Sequence, residues 1–199
     1  MARRKDHTPE QLKTLIRSAG EKLIYNKGLD GLTVRALAEA IGYTPGTIYN
    51  VYRDMDALII DINFETLGRL SDFCQQRTQD LPSDVSKIKA LAYAYVDFAH
   101  ENLRAWQTVF ATTRKGEKNT RLPKYYQQRL QEVFGRIEDV LRECLTIPAS
   151  EVTQTARLLW ACLHGITVLT LDGRLSLIGV DAPHPMIDNL LEKYLAAYV

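Results

Sequence analysis

The stretch Gly42–Leu58, GYTPGTIYNVYRDMDAL, carries the start signals of a short helix. Thr44 is a suitable N-cap residue, and Pro45 fits the first helical position, where a missing N–H costs nothing. Only Ile48 and Val51 are plainly apolar in the helix that these signals begin. Because so short and polar a helix cannot form a core by itself, it is either a connector or a helix whose outward face contacts something outside the protein.

A second helix precedes this one at helix-turn-helix spacing. Thr33 is predicted to cap the preceding helix and Gly42 to end it, so residues 42–44 form the turn. Further upstream, Thr8 begins a capping box for a first helix that ends near Gly28. In a helix-turn-helix, the N-terminal residues of the second helix point to base edges in the major groove.

The rest of the chain has helical apolar periodicity and no strand pattern. We therefore expect an all-α fold, with a three-helix N-terminal domain over residues 1–54 and a bundle of about five or six helices over residues 55–199. The later helices are predicted to begin at Asp54, Pro82–Asp84, ahead of Trp106, at Pro123, at Ser150 and near Met186. A loop is expected between Thr112 and Leu122, and irregular structure between Gly173 and Pro185.

Charge is distributed unevenly along the 199 residues. Residues 1–53 carry nine Lys or Arg against five Asp or Glu, a net charge of +4, whereas residues 54–199 carry a net charge of −3. A basic N-terminal part favours a polyanionic partner for that part alone. The three widely spaced cysteines, the polar N-terminus and the lack of a long uncharged apolar run predict a cytoplasmic protein without a membrane partner.

The predicted recognition helix contains side chains of the types that read DNA. Asn50 can bond adenine bidentately, and Thr47 can bond a base edge or contact a thymine methyl group. Gly46 allows close approach of the backbone. The hydroxyl groups of Tyr49 and Tyr52 are expected to reach phosphates, which fixes position rather than sequence. The alternative is that Pro45 and Gly46 form a tight turn and that the tyrosines are packing aromatics.

The segment GLDGLTVRALAEAIGYTPGTIYNVYRDMDAL, residues 28–58, resembles the DNA-binding signature of the TetR family of bacterial transcriptional regulators. The resemblance implies a homodimer that binds a pseudo-palindromic operator, most often as a repressor, and that a small effector releases. The implied DNA-binding residues are Thr33, Arg35, Thr44, Pro45, Gly46, Thr47, Tyr49, Asn50 and Tyr52. The basic arm Arg3, Arg4 and Lys5 is a further candidate for contact with the minor groove or the backbone, and the alternative is a solvated terminus. Two residues depart from the family pattern: Tyr52 replaces the usual Phe, and Met55 replaces a Lys that contacts phosphate.

The segment LLWACLHGITVL, residues 158–169, resembles the Trp…His-Gly motif of one C-terminal subclass of this family, matched by Trp160, His164 and Gly165. One interpretation is a polar group that orients an apolar ligand in a pocket. The alternative is a core histidine bonded to backbone, with Gly165 allowing close helix packing. The candidate pocket residues are Phe64, Phe98, Trp106, Phe110, Tyr126, Trp160 and His164.

The helix from Ser150 is apolar on more than one side, which predicts burial by a partner subunit as well as by its own bundle. The family dimerises through its last two helices. The candidate interface residues are Leu159, Leu163, Ile166, Leu190, Leu191, Tyr194 and Tyr198.

No catalytic motif is evident, so we expect neither an enzyme nor a cofactor. The alternatives left open are a constitutive DNA-binding regulator without an effector, a helical enzyme with an unrecognised site, and a constitutive protein-interaction bundle. Asp97, His100 and His164 are residue types that bind Zn or Ni, but three ligands on unaligned helices do not favour a metal site.

Overall fold

The structure, a computed structural model, describes residues 7–111 and 122–198. Within those residues it contains nine α-helices and no strand, which confirms the predicted all-α fold. The helices are α1 (Pro9–Lys27), α2 (Val34–Ile41), α3 (Pro45–Val51), α4 (Met55–Thr78), α5 (Val85–Glu101), α6 (Leu103–Ala111), α7 (Lys124–Cys144), α8 (Ala149–Leu171) and α9 (His184–Leu195). The loop expected from Thr112 to Leu122 lies almost wholly outside the described residues.

The described residues form two compact units. The first unit comprises residues 7–66 with 104–111, and the second comprises residues 67–103 with 122–198. Helix α4 begins in the first unit and ends in the second. The boundary predicted between residues 54 and 55 falls just before α4, inside the first unit, and it stays a prediction of where the DNA-binding part ends.

Helix α1 begins and ends where the sequence predicts. Thr8 Oγ1 accepts a hydrogen bond from the Gln11 N–H at 3.2 Å, and Gln11 Oε1 accepts one from the Thr8 N–H at 2.8 Å. This reciprocal pair is the predicted capping box, and it satisfies two N–H groups that the helix leaves unpaired. Gly28, with φ of 72°, ends the helix.

Helices α2 and α3 meet across the predicted turn. Thr33 Oγ1 caps α2 by accepting from the Ala36 N–H at 3.2 Å. Gly42 ends α2 with φ of 71° and ψ of 31°, a left-handed conformation that glycine adopts without strain. Thr44 occupies the N-cap position of α3, but the side-chain capping bond expected from it is absent. Its Oγ1 lies instead 3.2 Å from Oγ1 of Thr47.

An apolar cluster of residues from α1 to α4 holds the first unit together. Its buried members are Ile16, Ile24, Leu32, Leu37, Ala38, Ile48, Tyr52, Leu58, Ile59 and Ile62. Ile48 is the member that comes from inside α3, so one face of this short helix is fixed against the unit. The opposite face is left to solvent, and this arrangement positions the candidate site.

The second unit has its own apolar cluster, built from α5, α7, α8, α9 and the residue after α7. Its buried members are Ile88, Ala92, Val96, Leu141, Leu145, Ala156, Leu159, Ile187, Leu191 and Leu195. Helix α5 begins where predicted, and Asp84 caps it by accepting from the Ser86 N–H at 2.7 Å. Helix α8 begins at Ala149, one residue before Ser150, and α9 begins at His184, two residues before Met186. The segment expected to be irregular before α9 contains a short 3₁₀ turn, Ser176–Ile178.

Over residues 7–111 and 122–198, none of the helices is both long enough and apolar enough to cross a membrane.

Candidate nucleic-acid interface

The outward face of α3 contains most of the residues predicted to contact DNA. Tyr49 is 52% exposed, and Asn50, Thr44, Pro45 and Gly46 are exposed as well. Thr47 is half-buried and Ile48 points into the core. The first turn of α3 therefore presents small and polar side chains to solvent.

Gly46 is not required by the fold. Its φ is not positive, and a Cβ atom added there would meet only Thr44 Oγ1, at an ordinary contact distance of 3.8 Å. A side chain would thus fit in the free protein. The space next to Gly46 is therefore open, and a large partner could approach the backbone closely there.

Residues around α2 extend this face. Thr33 and Arg35 are exposed at the start of α2, although the Thr33 hydroxyl oxygen already caps the helix. The predicted arm residues Arg3, Arg4 and Lys5 lie outside the described residues. Near the point where the described chain begins, His7 Nδ1 shares a hydrogen bond with the Tyr43 hydroxyl in the turn before α3, at 2.7 Å.

Tyr52 does not have the predicted role. Its side chain is only 5% exposed, and its hydroxyl donates a hydrogen bond to Asp61 Oδ2 at 2.6 Å. Lys13 Nζ and Arg17 Nη1 lie 3.7 and 3.8 Å from the same oxygen. The expectation that this hydroxyl contacts a phosphate is corrected, because a buried group bonded inside the unit cannot reach DNA. Sequence periodicity offered no signal for Asp61, which is nine residues away.

Comparison with known proteins identifies both parts of the chain. Residues 16–62 match the model described as "Bacterial regulatory proteins, tetR family". Residues 88–194, more than half of the chain, match the model described as "Tetracyclin repressor-like, C-terminal domain". The chain belongs to the TetR family.

The chain is also similar to individual proteins. The chain is 26% identical over 167 residues to the uncharacterized HTH-type transcriptional regulator YobS of Bacillus subtilis, covering 78% of this chain and 76% of YobS. A protein of unknown function from Rhodococcus sp. RHA1 has a TM-score of 0.77 with 18% identity, and the match covers 100% of both chains. RolR, solved in complex with resorcinol, has a TM-score of 0.68 with 14% identity, covering 94% of this chain and 88% of RolR. At such identities the structural matches establish the fold alone.

In the C-terminal unit of this TetR-family chain, the Trp-His pair of α8 belongs to an aromatic group. The Trp160 and His164 rings stack with centroids 5.2 Å apart and an interplanar angle of 20°, and Phe134 of α7 packs edge-on against Trp160 at 5.4 Å. His164 Nδ1 shares a hydrogen bond with the Tyr95 hydroxyl of α5 at 2.8 Å. The Arg157 guanidinium lies over the Phe134 ring, 5.1 Å from its centroid. Trp160, His164 and Phe134 are half-buried, and Tyr95 is buried.

Two observations bear on the alternative interpretation of the motif. His164 is half-buried, and it shares a hydrogen bond with a side chain 69 residues away. Gly165 does not serve close packing among the described residues, since a Cβ added there would meet nothing within 4 Å. Assignment to the Trp…His-Gly subclass stays a prediction.

The other candidate pocket residues divide between the two units. Phe64, Trp106 and Phe110 belong to the first unit, where the Trp106 and Phe110 rings lie 4.9 Å apart. Phe98 and Tyr126 belong to the second unit, in which both are buried, and burial raises the pKa of Tyr126 to about 12. Tyr126 is therefore a neutral phenol at physiological pH. Tyr95 and Phe134 were not predicted from the sequence, because their distant partners leave no local signal.

The candidate dimer residues do not all face outward. Leu159 and Leu191 are buried members of the core of their own unit, and Leu163, Ile166, Tyr194 and Tyr198 pack against that core while remaining half-buried. Leu190 is half-buried on α9. Helix α8 also has exposed apolar residues that are not among the candidate interface residues, namely Leu158 at 44% and Leu169 at 41% exposure.

Two of the residues considered for a metal site, Asp97 and His164, contact other side chains. Asp97 Oδ2 lies 3.7 Å from Arg77 Nη1, and His164 bonds Tyr95. In the two described ranges there is no group of three or more His, Cys, Asp or Glu residues that could hold a metal ion.

Proposed function

We propose that this TetR-family regulator binds a pseudo-palindromic DNA operator as a homodimer, with α3 of each subunit in the major groove, and that it acts as a repressor. The observation that carries the proposal is the contrast between the buried and the exposed face of α3. Ile48 anchors the helix in the core, while Gly46, Tyr49 and Asn50 are exposed on a surface that the fold does not use. One short helix makes too few base contacts for operator specificity, so two copies are needed.

The residues of this face have different roles. Asn50 and Thr47 read base edges, and Tyr49 donates its hydroxyl proton to a phosphate oxygen. Gly46 lets the α3 backbone approach the groove, and the open space around its Cα supports this role. Arg35, at the start of α2, contributes a backbone contact. We retain Arg3, Arg4 and Lys5 as an arm that adds sequence-independent affinity.

We propose that the dimer interface is a stripe of α8 different from the one that the sequence suggested. Leu158, Ala161 and Leu169 are exposed, and Cys162 and Gly165 at helical spacing are half-buried. These small and apolar residues leave room for a second helix to approach closely, as the open space at Gly165 also does. Leu163, Ile166, Leu190, Tyr194 and Tyr198 flank the interface, whereas the buried Leu159 and Leu191 support it from within the subunit.

We propose that a small, mostly apolar effector binds in the C-terminal unit and releases the DNA. The half-buried Trp160 and Phe134 offer apolar ring surface, and the Tyr95–His164 hydrogen bond offers a polar group that can orient a ligand. The neighbour RolR, solved with resorcinol, supports small aromatic molecules as the first class to test. To release the operator, the effector must favour a conformation unsuited to DNA by a few kcal/mol, and operator DNA must weaken effector binding by the same factor.

This function places the protein in the bacterial cytoplasm, associated with the nucleoid when it is bound to DNA.

The experiment that tests DNA binding is selection of duplexes from a random pool by the full-length chain, followed by sequencing. We expect enrichment of one sequence with two inverted half-sites. Failure to enrich any sequence at low salt, or enrichment of a single asymmetric site, would overturn the proposal. Gly46→Ala is the matched variant: it should fold at least as stably as the wild type, because Ala favours helix over Gly, and yet bind the selected duplex more weakly.

The effector proposal is tested by titrating the bound complex with resorcinol and related phenols, and with small aliphatic alcohols. Release should occur for at least one class, and Trp160→Ala should remove the response while DNA binding by the free protein persists. Unchanged operator affinity across the whole panel would favour a constitutive regulator.

A further inference from the structure

Arg53 lies directly after α3 and extends into solvent. It follows Tyr52, whose backbone is extended, with φ of −116° and ψ of 126°. Successive side chains of an extended segment point to opposite sides, so Arg53 points outward where Tyr52 points into the core. The Arg53 side chain is 85% exposed. A guanidinium group is thus present at the C-terminal end of the predicted recognition helix.

Asp54 holds this guanidinium in a defined orientation. Asp54 Oδ1 accepts from the Ala57 N–H at 2.8 Å and so caps α4, while Oδ2 accepts from Arg53 Nε at 2.7 Å. The bond from the Ala57 N–H and the bond from Arg53 both lower the pKa of Asp54, which keeps its carboxylate ionised at neutral pH. Because Asp54 engages Nε, the Nη groups of the planar fork remain available to a second oxygen anion.

Met55 cannot supply a cation at this place. It is half-buried and packs against the apolar cluster of the first unit. The Asp54 carboxylate already occupies the Ala57 N–H at the start of α4, so the exposed outer part of the Arg53 guanidinium is the cationic group that can meet an anion at this corner. A DNA phosphate is the anion that a neighbouring recognition helix would bring here.

We propose that Arg53 is a DNA-binding residue that contacts a backbone phosphate through its Nη groups, with Asp54 as its positioning residue. The inference rests on the proposed function, since it requires α3 to lie on DNA. A phosphate contact carries no sequence information, so Arg53 should add affinity and salt dependence without changing the preferred operator.

The test compares Arg53→Gln with the wild type on the selected duplex and on a scrambled duplex between about 50 and 200 mM salt. Each neutralised phosphate contributes about 0.9 to the slope of log affinity against log salt, so two Arg53 residues in a dimer contribute about 1.8. Over this fourfold range of salt, the affinity advantage of the wild type should shrink by about 12-fold. Arg53→Lys should recover most of the slope because it keeps the charge.

Arg174→Gln is the control for net charge alone. Arg174 is 70% exposed, its Nε lies 3.9 Å from Asp172 Oδ2, and it belongs to the second unit. Its removal should leave the slope unchanged. An unchanged slope in Arg53→Gln, or an equal loss in Arg174→Gln, would overturn the inference while leaving the proposed function standing. If the wild type itself binds no duplex, both the proposed function and the inference about Arg53 fail.

Discussion

Tyr52→Phe should destabilise the first unit although it removes a single oxygen atom. The hydroxyl donates to Asp61 Oδ2 at 2.6 Å, and Asp61 is only 6% exposed. Without this donor, Asp61 Oδ2 loses a short hydrogen bond and retains the more distant cations of Lys13 and Arg17, at 3.7 and 3.8 Å. A hydrogen bond to a charged group contributes about 1.5–3 kcal/mol, and we expect a loss of that size.

The assay is a double-mutant cycle in urea unfolding followed by circular dichroism. The variants are Tyr52→Phe, Asp61→Leu and the double substitution. If Tyr52 acts through Asp61, then Tyr52→Phe should cost little or nothing once Asp61 is leucine, because the hydroxyl then has no carboxylate to bond. The coupling energy should be about 1.5–3 kcal/mol.

Tyr49→Phe is the matched control, because its hydroxyl is on an exposed ring of the same helix. It should change the free energy of unfolding by no more than about 0.5 kcal/mol. Equal effects of the two Tyr→Phe substitutions, or strict additivity in the cycle, would refute the view that Tyr52 fastens α3 to α4. If Tyr52→Phe lowered DNA affinity without lowering stability, the result would instead support a phosphate contact by the Tyr52 hydroxyl.

Three further predictions concern other parts of the chain. On DNA, Tyr49→Phe should weaken binding to cognate and scrambled duplexes alike, whereas Asn50→Ala should change the preferred sequence; a reversed pattern in equilibrium titrations would contradict these roles. Leu158→Glu should convert dimer to monomer in light scattering at micromolar concentration without lowering the helix content, and a persistent dimer would exclude the α8 stripe. Glu143→Gln should lower the melting temperature at pH 7, because the buried Lys87 loses a carboxylate 2.9 Å away. Hydrogen bonds from Ser83, which has the larger effect, and from Lys87 hold the pKa of Glu143 below its ordinary 4.5. This stabilisation is therefore fully present above pH 4.5. The difference between Glu143→Gln and the wild type should vanish as the pH falls through the lower pKa of the folded state.

The parts of the fold that the sequence predicted well depend on short-range signals. Thr8, Thr33 and Asp84 cap helices through bonds to residues two or three positions away, and Gly42 ends α2 through its own backbone conformation. Such local chemistry can be read directly from neighbouring letters. The same holds for the outward face of α3, since its single strong anchor, Ile48, determines which residues remain exposed.

The errors arose where a side chain bonds a distant partner or where a helix is apolar on several sides. Tyr52 was assigned to DNA because the sequence does not reveal that Asp61 lies against its hydroxyl. The Tyr95 hydroxyl that bonds His164 is on another helix, and the sequence does not reveal this contact. Periodicity also could not tell which leucines of α8 face the subunit core, so Leu159 was chosen for the interface in place of Leu158.

The most direct test of DNA binding by two copies of α3 is hydroxyl-radical footprinting on the selected duplex, combined with the mass of the complex from light scattering. Two α3 helices in successive major grooves predict two protected segments whose centres lie about 34–36 Å apart, or a whole multiple of one helical turn. The complex should then contain an even number of chains, and Gly46→Ala should weaken both protected segments together. A single protected segment bound by one chain would contradict the account.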